Sequence, residues 1–322
     1  MSASTPHPPE NGPDLRQKVD DWLLHEGYSL EFRVANAFTR HGFHVRQGQY
    51  VHEDLDSAPR EIDVEAEMQF AVGEQMLRLT HVIECKWSKE KPWVVFSSTD
   101  SRIAASACVA QSIASKLGQT ALWCIAGDKR LHELSLFDAP RRPGFGSRVA
   151  FSSGQDNSYS AIQSVIGNAV RRTARYDDHG ATMRFAAVAV PTIVVDGKLF
   201  ECFFDSSTGH VSTQPVDRCR LHYRGSRNWG HHATIDIVTV EIIEEFAAQR
   251  SQEVSKALAI IGDAVRDVET AIRTGTLAQL KVTDGGRGIV GLPPLLRGLG
   301  TNTPPLPNPT GDGTNWCRGC SL

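Results

Sequence analysis

Residues 60–87 read REIDVEAEMQFAVGEQMLRLTHVIECKW, and their alternation decides the fold. From Glu61 to Phe70 the chain puts Ile62, Val64, Ala66, Met68 and Phe70 on one side and Glu61, Asp63, Glu65, Glu67 and Gln69 on the other. That period of two is the mark of a half-buried strand. The alternation resumes from Leu79 to Trp87, with Leu79, His81, Ile83, Cys85 and Trp87 on one face and Thr80, Val82, Glu84 and Lys86 on the other. Val72-Gly73-Glu74-Gln75 between them reads as a hairpin turn. A hairpin symmetric about Gly73-Glu74 sets Asp63 opposite Glu84 and Glu61 opposite Lys86, with Cβ atoms of directly opposed residues roughly 5 Å apart. Two carboxylates so placed repel, and a bound cation would reverse the sign.

Such an arrangement suits a divalent metal. Mg²⁺ prefers oxygen ligands and is usually held by one or two carboxylates plus substrate phosphate. Asp63 and Glu84 are therefore the expected ligands for Mg²⁺, or for Mn²⁺ in its place. A cation there can polarise a phosphodiester and activate water. Lys86, two residues from Glu84 on the same face, is placed to position that water or to offset charge in the transition state. Cys85 points to the packed side and is expected to be inert.

At these residues the chain resembles the PD-(D/E)XK nuclease superfamily, the restriction-endonuclease-like fold. The pattern is an acidic residue on the second core strand, then Glu or Asp, any residue, and Lys on the third. Asp63, Glu84 and Lys86 match it, with Ile62-Asp63 standing where the superfamily's name has Pro-Asp. The family often adds an acidic residue on the first helix, for which Glu31 is the candidate. The resemblance covers about residues 21–127. It implies an α/β fold with an α-β-β-β-α-β core around a mixed sheet, and metal-dependent cleavage of nucleic acid, DNA before RNA, in a defence or repair setting.

The flanking sequence agrees with that order. Leu23, Leu24, Leu30, Val34, Ala37 and Phe38 have helical spacing, and Gly42 suits a C-cap. Residues 43–51 read as a first strand. Beyond Lys86, Thr99 or Asp100 can cap a helix whose stripe is Ile103, Ala107, Ala110, Ala114 and Leu117, ended by Gly118. On that helix Gln111 and Arg102 are candidates for contacting substrate. The apolar run Ala121-Leu122-Trp123-Cys124-Ile125-Ala126 suits a buried parallel strand. A second acidic-x-Lys triplet, Asp196-Gly197-Lys198, is expected to be a type I′ hairpin turn between two strands.

Composition bounds the rest. With 322 residues and a net charge of −3, the chain is no bulk polycation, so any nucleic-acid surface must be local. Candidate patches are Lys129-Arg130 with Arg141, Arg142 and Arg148; Arg171, Arg172 and Arg175; and Arg218, Arg220, Arg224 and Arg227 interleaved with Tyr223 and Trp229. Seven cysteines, with Cys85, Cys108, Cys124 and Cys202 in apolar or helical contexts, fit reduced thiols. Cys317 and Cys320 form a lone pair in a Pro/Gly-rich tail, half a zinc site at most. Neither a signal peptide nor a membrane-spanning run is evident, so a soluble cytoplasmic protein is expected. The chain divides into a disordered tail at 1–20, a nuclease-like domain at 21–138, a linker or loop at 139–158, an accessory α/β module with a long C-terminal helix at 159–283, and a disordered tail at 284–322. Cleavage of both duplex strands would favour a homodimer. The alternative is a non-catalytic protein that keeps the fold and binds nucleic acid or protein.

Overall fold

The computed structural model describes residues 14–25, 28–51, 60–73, 75–98, 103–152, 157–177, 185–205, 208–224 and 232–283. In chain order its elements are α1 (Leu15–His25), α2 (Tyr28–Arg40), β1 (His44–Val51), β2 (Arg60–Val72), β3 (Gln75–Ser97), α3 (Ala105–Ala110), β4 (Ile113–Ala114), α4 (Lys116–Cys124), α5 (Lys129–His132), β5 (Gly144–Val149), α6 (Asn157–Ala174), β6 (Phe185–Asp205), β7 (His210–Pro215), β8 (Arg218–Arg224), β9 (His232–Thr239) and α7 (Ile243–Thr274). Arg102, Cys317, Cys320, Arg227, Trp229 and the tail at 284–322 lie outside the described residues.

Alternation and turn do what the sequence implies. β2 and β3 pair antiparallel in the expected register, from Val72 opposite Gln75 to Val64 opposite Ile83. β1 pairs antiparallel with β2 on the other side. The strands form a mixed nine-stranded sheet among the described residues, which makes the chain α/β. β3 is its long central member. Its flank opposite β2 runs parallel to β6, from Met76 opposite Phe185 to Ser97 opposite Phe203. β6 then pairs parallel with β9, β9 antiparallel with β8, and β5 antiparallel with β3. One parallel pairing, Gly144 with Leu221, joins β5 to β8 and closes a ring of five strands. Strands from both the 21–138 and 159–283 segments thus share one sheet, and β5 occupies part of the stretch read as a linker.

Two apolar cores lie on the two faces. On one, Leu30, Val34 and Phe38 of α2, Leu117 and Leu122 of α4, and Phe246, Val254, Leu258 and Ile261 of α7 pack on Val64, Leu77, Leu79 and Ile83. On the other, Ile162, Val165 and Ala169 of α6 pack on Val82, Trp93, Ile193, Leu221 and Ile237. Ile62 joins this second core whereas Val64 and Ala66 join the first, so the strict alternation breaks at Asp63.

Three expectations are corrected. Ala121–Ala126 is not a strand: its residues to Cys124 continue α4, whose Leu117, Ala121 and Leu122 bury against α7 and β6. An unbroken apolar run is equally a buried helix, and periodicity does not separate the two. Gly118 does not end a helix either; it lies within α4, where a Cβ would come 2.8 Å from the Ala187 carbonyl oxygen of β6. Asp196-Gly197 is no hairpin turn but part of the continuous β6. Pairing with β3, Trp87 opposite Asp196 and Ser88 opposite Gly197, holds the strand extended past the end of the β9 ladder at Val195, and the irregularity falls on residues 88–93 of β3. Local turn chemistry yields to the long β3 ladder. No helix among the described residues is long and apolar enough to cross a membrane.

Candidate active site

The site forms where the β2–β3 ladder opens. Regular pairing ends at Val64 and Ile83, and the next link is a side chain: Asp63 Oδ2 accepts the Cys85 amide at 2.7 Å. That bond pins the Asp63 carboxylate beside Glu84 and Lys86. Glu84 is only 7 % exposed. Its Oε1 takes the Lys86 ammonium at 2.5 Å, and its Oε2 accepts the Ser164 hydroxyl of α6 at 2.9 Å. One helical turn on, Asn168 donates its side-chain amide to the Glu61 carbonyl at 3.2 Å. α6 thus fixes the site from the face that carries the second core. Glu31, in the first turn of α2, approaches from the other elements' side and feels the charges of Asp63, Glu61, Glu84 and Lys86.

Electrostatics separates this group from the other carboxylates of β2. Glu65 and Glu67 are as buried, at 3 % and 4 %, but Arg172 of α6 lies 3.0 Å from Glu65 and 3.5 Å from Glu67. They are ion-paired parts of the α6 interface. Among the described residues no arginine pairs with Asp63. Burial, then the Glu84 charge, raises its pKa to about 6, against the Cys85 amide and Lys86 which pull it down. For Glu31, burial followed by the charges of Asp63 and Glu61 raises the pKa to about 7. Burial disfavours the Lys86 ammonium, yet Glu84 and Asp63 together raise its pKa above the ordinary value. Cys85 packs against the first core and burial lifts its thiol well above the usual range, in keeping with an inert role.

A divalent cation fits this donor set. Burial and then carboxylate repulsion raise the pKa values of Asp63 and Glu31, and the Lys86 ammonium already acts as a stand-in cation on Glu84. No group of three or more His, Cys, Asp or Glu side chains able to hold a metal occurs among the described residues, so Asp63 and Glu84 with water and phosphate would be the ligands. Exposed rings border the group: Phe32 follows Glu31 and Trp87 follows Lys86.

Other residues singled out in the sequence fare differently. Gln111 caps the end of α3 and has no contact with Asp63, Glu84 or Lys86 among the described residues; its side-chain oxygen is buried without a partner. Arg172 is an interior ion-pair partner, not a surface cation. Arg218 and Arg220 turn inward on Asp236, at 2.8 and 3.3 Å, so they are no stacking surface. Arg142 pairs with Glu201 at 2.5 Å. Sequence reasoning missed Ser164 and Asn168, because a polar helix residue carries no signal of what it will face. No family model, curated protein or solved structure matches the chain.

Proposed function

We propose that the chain is a divalent-metal-dependent nuclease that hydrolyses phosphodiester bonds, with DNA the favoured substrate. The observation that carries this reading is the pair Asp63 and Glu84 held beside a single lysine, with Glu31 near enough to feel their charges, in a sheet whose other buried carboxylates among the described residues are arginine-paired. The order α2, β1, β2, β3 with a parallel β6 beside β3 supports the likeness to PD-(D/E)XK nucleases noted from the motif.

Asp63 and Glu84 would hold Mg²⁺ or Mn²⁺, which supplies Lewis acidity toward the phosphate and its attacking water. The protein's own groups divide the remaining work. Lys86 stays protonated and, once exchanged off Glu84, offers hydrogen bonds to the water or to the charge that develops on phosphorus oxygens. Glu31, with a pKa of about 7, is suited to accept a proton near neutral pH. Ser164 and the Cys85 amide orient the two ligands.

The test is incubation of the protein with single- and double-stranded DNA and RNA in Mg²⁺ or Mn²⁺, beside Asp63→Asn, Glu84→Gln and Lys86→Ala. Wild type should cut, and each variant should be slower by about 10²-fold or more. Equal cutting by all four proteins, or none under any condition, would remove the reading.

A further inference from the structure

A cleft of about 620 Å³ opens between β5, β8 and the first turns of α6. It exists because β5 and β8 touch only at Gly144 and Leu221 and then part. Its volume is that of a small-ligand pocket, and its chemistry is specific. Arg148 and Arg224 line it together with Phe145, Tyr159, Gln163 and Tyr223, and among the described residues no Asp or Glu does, in a chain with 37 acidic residues and a net charge of −3. The first turn of α6 carries no acidic residue, so that turn itself does not offset the positive end of the helix dipole. Phe145 and Tyr159 present rings that are 69 % and 62 % exposed. The Ser147 hydroxyl oxygen, also in the lining, is buried without a hydrogen-bond partner. Gln163 donates to the Tyr223 hydroxyl at 3.4 Å and offers amide groups to a base edge.

Flat rings for stacking, cations for phosphate and a polar amide are what one unpaired nucleotide needs. The cleft also adjoins the site. Ser164, which holds Glu84, follows Gln163 directly, and Tyr159 lies five residues before it, about 7.5 Å along the helix axis. That is on the scale of neighbouring phosphates along an extended strand.

We infer that this cleft binds an unpaired nucleotide of a nucleic-acid strand and thereby presents a neighbouring phosphodiester to Asp63, Glu84 and Lys86. The presentation rests on the nuclease reading; strand binding does not.

The experiment is fluorescence anisotropy of a short labelled single-stranded DNA, its RNA counterpart and a blunt DNA duplex, in EDTA, with ATP as the free-nucleotide competitor. Wild type, Tyr159→Ala, Arg224→Glu and Asp63→Asn are compared after thermal melts establish that each is folded. Single strands should bind more tightly than duplex, the two cleft variants should each lose about tenfold or more, and Asp63→Asn, which removes a negative charge beside the presented phosphate, should bind no more weakly than wild type. DNA and RNA strands binding alike would support recognition by stacking and phosphate alone. Duplex binding as tight as single-strand binding, or unchanged affinity in both cleft variants, would overturn the assignment. So would ATP binding as tightly as the strand, which would make this a free-nucleotide site. If strands bind through the cleft and no nucleic acid is cut in any metal, the cleft stands and the nuclease reading alone fails. If wild type cuts and the cleft variants cut with unchanged KM, the cleft alone fails.

Discussion

Asp63 shows how one side chain can be costly to the fold and necessary to the chemistry. Its carboxyl titrates at about 6 in the folded chain, against about 3.9 when exposed. With the folded value raised, the stability it contributes is complete below about pH 4 and is lost as pH rises through about 6. Asp63→Asn keeps an acceptor for the Cys85 amide and removes the charge. In EDTA, the variant should match wild type near pH 4 and exceed it at pH 8 by on the order of 1–3 kcal/mol; urea melts at the two pH values measure the gap. A constant gap would mean the charge is not what burial penalises. Lys86 gives the complementary prediction. Because its ammonium sits on Glu84, it competes with any divalent cation for that carboxylate. Lys86→Met should abolish cleavage while Mn²⁺ binding, followed calorimetrically, becomes tighter. Weaker Mn²⁺ binding in this variant would show that Lys86 supports the cation and does not displace it.

At the scale of elements, what was legible followed from local period and local turns. The β2–β3 hairpin needed only alternation and a Gly-containing turn, and its register holds as far as Val64 and Ile83; beyond it the expected Asp63–Glu84 pairing gives way to the Asp63 side chain on the Cys85 amide. The apolar spacing of α6 and α7 matches their buried stripes, with Val165 and Ala169 on one and Val254, Leu258 and Ile261 on the other. What escaped depended on distant partners: Asp196-Gly197 stays extended because β3 pairs along it, and Ser164 became a site residue only when α6 met β3. The same dependence makes α7 essential. Arg250, fully buried, binds Asp236 of β9 at 2.7 Å and Glu253 at 2.5 Å. Burial would push the Asp236 carboxyl up, but Arg218, Arg250 and Arg220 hold it well below the usual carboxylate range. Asp236→Ala strands those guanidiniums inside the protein and should cost about 3–5 kcal/mol. Chemical denaturation would measure it; a loss below about 1 kcal/mol, the scale of an exposed pair, would mean that water reaches the cluster.

For the whole molecule, the decisive geometry is the closure of the sheet. β3 carries Glu84 and Lys86 in the stretch flanked by β6, and farther along it pairs with β5, so the strand that builds the site also anchors one wall of the cleft. The ring meets at Gly144, where a Cβ would stand 2.7 Å from Val95 Cγ1, 3.2 Å from the Arg220 carbonyl oxygen and 3.3 Å from Leu221 Cα. Two of those three neighbours are backbone, so a larger residue must push β5 away from β8 and β3. Gly144→Val should therefore destabilise the protein by about 1–3 kcal/mol. It should also weaken single-strand binding, because Gly144 and Leu221 both line the cleft. Metal binding should be preserved, since Glu84 and Lys86 stand on β3 before its β5-paired stretch, Asp63 on β2 and Ser164 on α6, none of them in contact with Gly144. Denaturation, anisotropy and Mn²⁺ calorimetry on this one variant separate the two functions: strand affinity lost with Mn²⁺ affinity intact shows that the ring shapes the cleft without setting the carboxylates, and joint loss of both shows that site and cleft move as one unit.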